Sequence, residues 1–436
     1  MSAAPDPPLA RIELLGEHEG RRVRLQGWLY NRRSSSKLHF LQVRDGTGIV
    51  QCVVARADVR PEVFQQAGEL GQESSLKLCG TVQADRRAPG GFELLLDDLE
   101  VLQNVDGYPI SPKEHGVAFL LEHRHLWLRS RRPHAVLRIR AELERACHDF
   151  LDAQGFLRLD TPILTPAACE GSTTLFETDY FGQKAFLTQS GQLYSEAGCQ
   201  AFGRVYCFGP TFRAEKSKTR RHLMEFWMVE PEAAFLDLEG DIELAEGLVC
   251  ALLERVLERC RPELETLERE LAPLEAIARP FPRLTYAEAV QRLRKAGLAV
   301  EFGDDFGGDE ETALSQGFER PLVIHRYPAS LKPFYMKCDP EDPSVVLNMD
   351  ILAPQGYGEI IGGSVREEQL DVLDAQMREK GVDSGPLEWY RDLRRYGSVP
   401  HAGFGLGLER TLTWICGLHH LRETIPFPRM LGRLHP

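Results

Sequence analysis

The chain has 436 residues, 43% of them hydrophobic and 27% charged, and a net charge of −13. That length buries more than one core, so two domains are expected, with the composition of a globular protein. The acidic balance argues against wholesale electrostatic attraction to nucleic acid and leaves room for a local basic patch. Ten cysteines occur without a Cys-x-x-Cys pair, which gives neither a zinc knuckle nor a disulfide framework and fits a reducing cytoplasm. Residues Met1 to Pro8 lack the basic and apolar regions of a leader and read as a short disordered tail; no apolar run is long enough to span a bilayer.

The first strand candidates are Val23–Tyr30, Leu38–Arg44, Gly48–Val54, Ser75–Val82 and Phe92–Leu96, with a helix over Pro61–Leu70. Five short strands with one interposed helix predict an OB-type barrel over residues 1–105. Every charged residue from Arg21 through Arg44 is basic, and Trp28, Tyr30 and Phe40 are interleaved with them. Such a run is often only a solvated face, but the aromatic rings favour single-stranded nucleic acid, whose bases stack at roughly 1–3 kcal/mol each. Residues 106–133 read as a hinge, Pro- and Gly-rich at first and then basic. Its His123 and His125 lack further ligands at metal spacing.

The rest, 134–436, forms a second domain. Val136 to Leu151 has helical spacing and stops at Gly155, and Phe156 to Pro162 reads as a strand. Lys184 to Glu196 runs from a strand into a helix, a junction where charged small ligands commonly sit. Gly203 to Glu215 and Leu223 to Glu232 predict two antiparallel strands joined by a charged loop from Lys216 to His222. Period two places Arg213 and Glu215 on one face of the first arm, and Phe226, Met228 and Glu230 on one face of the second. Amphipathic helices over about 237–296 read as support, and Phe302 to Asp309 as an exposed turn rather than a calcium loop, since the terminal Glu is missing. Glu359, flanked by Ile360 and Ile361, needs a cation, either Mg²⁺ shared with phosphates or Arg366. His401 to Arg410 carries three glycines that allow close backbone approach; it is not the dinucleotide fingerprint, and a Walker A motif is absent.

Taken together, Gly155 to Pro162, Phe212-Arg-Ala-Glu215 through Glu232, and Gly403 to Arg410 resemble motifs 1, 2 and 3 of the class II aminoacyl-tRNA synthetases. Within subclass IIb the likeness is to the aspartyl and asparaginyl group, and more to the asparaginyl enzymes. The resemblance implies an α+β fold, an OB barrel followed by an antiparallel sheet flanked by helices. It also implies ATP-dependent activation of L-asparagine and its transfer to tRNA(Asn) by a cytoplasmic homodimer using Mg²⁺. Arg213 would bridge the ATP α-phosphate and the amino-acid carboxylate. Phe226 and Arg410 would sandwich adenine, and Glu215, Arg221, His222, Leu223 and Gly407 would line the ATP site. Glu359 would hold Mg²⁺ together with Asp350; the serine of aspartyl relatives is here Gly362. Glu170, Ser190 and Gln192 would meet the α-amino end of the substrate. A lysine that serves the aspartyl enzymes is here Ser195, so Arg366 would face the side-chain oxygen and Glu225 or Glu230 the amide hydrogens. Arg32, Phe40 and Gln51 would read the anticodon. The alternatives are an aspartyl-tRNA synthetase, discriminating or not, and a synthetase-derived asparagine synthetase using ammonia, whose relatives lack the barrel.

Overall fold

The computed structural model describes residues 6–166 and 175–436, and it divides between Gly116 and Val117 into two units. In the first, β1 (Arg22–Ser34), β2 (Leu38–Arg44), β3 (Ile49–Ala55), β4 (Ser75–Ala84) and β5 (Phe92–Gln103) close a barrel in the order β1-β2-β3-β5-β4. Strict alternation in β2 and β3 turns Leu41, Val43, Val50, Cys52 and Val54 inward. The helix Pro61–Glu69 lays Val63, Phe64 and Ala67 on the same core, so the predicted OB-type barrel is the observed one.

The basic run is less free than its sequence suggests. Arg22 pairs with Asp97 at 2.8 Å and Arg24 with Asp6 at 3.3 Å. Arg44 forks onto Glu73 and lies 4.8 Å over the Trp28 ring. Arg21, Arg33 and Lys37 are exposed.

In the second unit the strands are β6 (Leu157–Arg158), β7 (Leu164–Thr165), β8 (Glu177–Tyr180), β9 (Gln183–Leu187), β10 (Arg204–Phe212), β11 (Glu225–Ala234), β12 (Arg283–Thr285), β13 (Leu322–His325), β14 (Asn348–Ala353), β15 (Gly358–Val365) and β16 (His401–Gly407). They form an eight-stranded sheet, β12-β13-β14-β15-β16-β11-β10-β6, and a small one, β7-β9-β8. The large sheet is antiparallel except for its outermost pairs, β10 with β6 and β12 with β13, which are parallel. One face is covered by the helices Arg131–Ala153 and Leu238–Arg259, whose Val136, Ile139, Leu143, Leu248 and Leu252 share a core with Tyr206, Phe208, Val229, Ile361 and Leu406. The first of these helices begins earlier than its periodicity predicts, because Pro133 is tolerated in an opening turn. It ends at Gly155, whose φ of +77° serves the terminating turn.

Three expectations are corrected. The second half of the predicted hinge is helical, Val117–Glu122 and Arg124–Trp127, and belongs to the second unit. There Arg124 is buried and donates to the carbonyls of Glu423, Ile425 and Pro426, while His123 Nδ1 lies 3.0 Å from the Phe119 carbonyl. Within the stretch 237–296, read as helical support, Arg283–Thr285 is an edge strand of the sheet. The Gly/Asp-rich turn runs into a helix, Gly308–Gln316.

Candidate active site

β10 and β11 pair from Arg204 with Ala233 to Phe212 with Glu225, and Arg213 N–H to the Met224 carbonyl, 3.0 Å, closes the arms. Because Val229 and Ala233 face the helices, period two turns Phe226, Met228, Glu230 and Glu232 to the opposite, open face. β16 lies beside them, and its glycines make room for side chains rather than for a ligand. A Cβ at Gly405 would stand 2.2 Å from Met228 Cε, and one at Gly403 2.3 Å from Glu232 Oε2. Only Gly407 leaves open space, with Arg410 at its edge. Glu409 ties the elements together: it accepts from Trp227 N–H at 3.0 Å and from Arg140 Nη1 at 2.6 Å.

Over this face lies a cleft. All nine residues expected at the ATP site line it: Arg213, Glu215, Arg221, His222, Leu223, Phe226, Glu359, Gly407 and Arg410. The Arg213 guanidinium lies 5.4 Å from the Phe226 ring centroid. Its Nε is buried without a hydrogen-bond partner, and among the described residues no carboxylate pairs with Arg213. Arg410 is held by the Glu359 carbonyl and carboxylate, each 3.1 Å away. Burial, with Arg410 next, brings the His222 pKa below the ordinary value. A partly buried guanidinium with no carboxylate partner among the described residues marks a place for an anionic group.

Two carboxylates converge beside the cleft. A Cβ added at Gly362 would lie 3.0 Å from Glu359 Oε1 and 3.6 Å from Asp350 Oδ1, so the glycine keeps a gap between them. Lys332 Nζ, 3.0 Å from Asp350, compensates it in part. Burial, and the Glu359 charge against that of Lys332, still raise the Asp350 pKa. Converging hard oxygens suit a divalent cation. The rival reading of Glu359, an ion pair with Arg366, is not realised; its partner is Arg410.

Arg366 instead forks onto Glu232, at 3.0 and 2.9 Å, and also donates to Ser364 Oγ and the Gly403 carbonyl. Burial opposes the charge of Arg366, but Glu232 outweighs it and holds the guanidinium well above its ordinary pKa. Beside this pair Glu196 accepts from Gln192, Tyr390, Arg394 and His401. Glu196, Glu232 and His401 are close enough to hold a metal ion, but both carboxylates are already neutralised by arginine. Glu230 lies close by, accepting from the Ser190 hydroxyl and from Gly191 N–H at 2.9 Å, and Ser190 Oγ accepts from Gln192 N–H at 3.0 Å. Ser195, in the helix Gln192–Phe202, is fully buried, and its hydroxyl has no partner among the described residues. Ser190, Gln192, Glu230 and Arg366 are therefore brought to one wall. Glu225 is not: it follows the parity of Trp227 and Val229, toward the helix-covered side. Glu170 lies outside the described residues. Sequence reasoning missed Glu232, although its position two residues after Glu230 put it on the same face. It also missed Glu196 and His401, which carry no local signal.

A family model described as tRNA synthetases class II (D, K and N) matches residues 117–431, and an OB-fold nucleic acid binding domain matches 23–102. The chain belongs to the class II tRNA synthetases. It is similar to the asparagine–tRNA ligase of Desulforamulus reducens, 58% identical across 98% of this chain and 99% of that one, and to that of Sorangium cellulosum, 56% identical across 99% and 100%. Among solved structures it resembles the asparaginyl-tRNA synthetase of Pyrococcus horikoshii complexed with asparaginyl-adenylate. There the TM-score is 0.95 and the identity 46%, over 98% of this chain and 99% of that one.

In this class II synthetase the barrel carries a second cleft, lined by Arg33, Ser34, Ser35, Phe40 and Gln51. Phe40 and Gln51 are thus brought together as expected, but Arg32 is replaced by Arg33. A bulge between Leu29 and Asn31 shifts the register of β1 and sets Arg33 directly across from Phe40, while Arg32 reaches the Ala67 carbonyl at 3.5 Å. Arg33→Ala is expected to raise KM for tRNA several-fold more than Arg32→Ala does. Aminoacylation kinetics at fixed salt check the order.

Proposed function

We propose that the chain is an asparagine–tRNA ligase: it joins L-asparagine to ATP as asparaginyl-adenylate with release of pyrophosphate, then passes the asparaginyl group to tRNA(Asn). The observation that carries the ATP half is Arg213, a partly desolvated guanidinium without a carboxylate partner, over the ring of Phe226. In the first step the asparagine carboxylate attacks the α-phosphorus and pyrophosphate leaves; Arg213 spans both reacting groups and offsets the charge that builds between them. Adenine stacks between Phe226 and Arg410, whose planar head lysine lacks. In the second step a terminal ribose hydroxyl of tRNA attacks the acyl carbon and AMP leaves. Positioning and electrostatics supply the acceleration, without a dedicated base.

Glu359 and Asp350 would hold Mg²⁺, which when bound screens the phosphate charges. Each carboxylate already has one cation beside it, Arg410 at Glu359 and Lys332 at Asp350.

Asparagine is chosen over aspartate by charge. Arg366, fixed by Glu232, offers its remaining donor to the side-chain oxygen, and Glu230 accepts from the amide nitrogen. An aspartate carboxylate beside Glu230 would be repelled and incompletely paired. Position 195, where the aspartyl enzymes place a lysine, is here a serine. Ser190 and Gln192 stand at the start of the same helix, toward the substrate's α-amino end, where Glu170 is also expected. The barrel cleft at Phe40 and Gln51 takes an anticodon base by stacking and amide pairing. A homodimer through motif 1 is supported by the exposed Leu157 on the edge strand β6 and the exposed Ile163 and Leu164 that follow it in the chain. A cytoplasmic location is supported by the described cysteines, all unpaired thiols.

An ammonia-using asparagine synthetase would need no barrel, which makes it the weaker reading. Charging of tRNA(Asn) with labelled asparagine in ammonia-free buffer is the expected result. Conversion of aspartate to free asparagine on adding ammonia, with no charged tRNA, would replace this proposal by the rival.

A further inference from the structure

The loop between β10 and β11 is anchored to a helix that sequence reading gave no role. Arg221 Nη1 donates to the Gly308 carbonyl at 3.0 Å and to Glu311 Oε2 at 3.3 Å; its Nη2 donates to Thr312 Oγ1 and the Gly356 carbonyl, each at 2.6 Å. Each terminal nitrogen thus has as many acceptors as hydrogens. Arg221 lines the cleft, yet its terminal donors are spent on the protein, so it works as a strut for the loop. The same Glu311 oxygen accepts from Glu359 N–H at 3.1 Å. One carboxylate therefore joins the loop over the cleft to the strand that carries Glu359. The junction requires Gly358: at φ +81° a Cβ there would stand 2.3 Å from Glu311 Oε2 and 2.9 Å from Arg221 Nη1. Burial raises the Glu311 pKa, and Arg410 works against that rise. Glu311 itself is not part of the cleft lining.

We propose that Glu311 is a positioning residue of the ATP site, holding Arg221 and the backbone of Glu359 in one arrangement so that the loop and the carboxylate at the cleft are set together. Bound triphosphate then meets a preformed site instead of ordering two segments separately. This rests on the reading that ATP occupies the cleft.

The test compares Glu311→Ala, Glu311→Gln, Arg221→Ala, the Arg221→Ala/Glu311→Gln pair and Arg410→Ala. The readouts are ATP Kd by calorimetry without asparagine, and KM for ATP and for asparagine in pyrophosphate exchange. Glu311→Ala is expected to raise Kd and KM for ATP about tenfold with KM for asparagine nearly unchanged. Glu311→Gln keeps an acceptor for Glu359 N–H but no charge for Arg221, so its effect is expected to be intermediate and to vanish in the Arg221→Ala background. Should Glu311→Ala fail to fold, Glu311→Gln and the pair carry the test. ATP binding unchanged by Glu311 variants while Arg410→Ala impairs it would overturn the inference alone, as would a Glu311→Gln effect that persists in full without Arg221. Unchanged ATP binding in Arg410→Ala would overturn the reading of the cleft beneath it.

Discussion

Arg213→Ala is expected to slow asparagine-dependent pyrophosphate exchange by roughly 10²–10³-fold, the usual effect of deleting one oriented donor to a charge that develops in the transition state. Among the described residues Arg213 has no carboxylate to lose, so the substitution strands no buried anion, and the thermal transition should shift little. Arg410 differs, because it is held by Glu359 at 3.1 Å, and removing it would free that carboxylate. Arg213→Lys keeps a charge without the planar fork and should fall between alanine and the parent. Steady-state exchange with ATP and asparagine varied separately checks this. A decrease confined to KM for asparagine would mean that Arg213 binds the amino acid and takes no part in the transition state.

The second large effect is on stability. Glu232→Ala removes the carboxylate that Arg366 grips through two hydrogen bonds, both side chains being buried. The arginine would be left charged in the interior, and breaking such a pair from one side costs roughly 3–5 kcal/mol. The loss should spread, because Asp241 lies near the pair with both oxygens unpartnered among the described residues, its pKa pushed far up by burial. Glu196 is secured independently: burial works against its charge, yet Arg394 and His401 outweigh it and take its pKa below the usual carboxylate range. Glu232→Gln, which keeps one acceptor, should lose less. Thermal unfolding followed by calorimetry measures the difference.

How much of this was legible depends on whether the deciding signal is local. The hairpin was, because its aromatic and β-branched arms and their period of two fix both the strands and the face; Phe226, Met228 and Glu230 fall together as that period requires. Arg32, by contrast, came only with the resemblance, and the bulge between Leu29 and Asn31 puts Arg33, not Arg32, across from Phe40. Nothing in the residues at the bulge itself, Leu29 to Asn31, marks it in the sequence. The grip of Glu232 on Arg366 spans 134 positions, and nothing near either residue names the other. Helix Gly308–Gln316 hid behind the Gly/Asp composition of its start. Its local signal was the acidic first turn, with Glu310 reaching back to Gly307 N–H at 3.0 Å.

Selection of asparagine by a wall that combines an anchored arginine with the Glu230 carboxylate is the central claim, and pyrophosphate exchange driven in parallel by asparagine and by aspartate tests it most directly. With ATP saturating and tRNA absent, exchange with asparagine is predicted to exceed that with aspartate by roughly 10²-fold or more, the ratio that a few kcal/mol of unpaired charge implies. Exchange with aspartate equal to or faster than that with asparagine would contradict it.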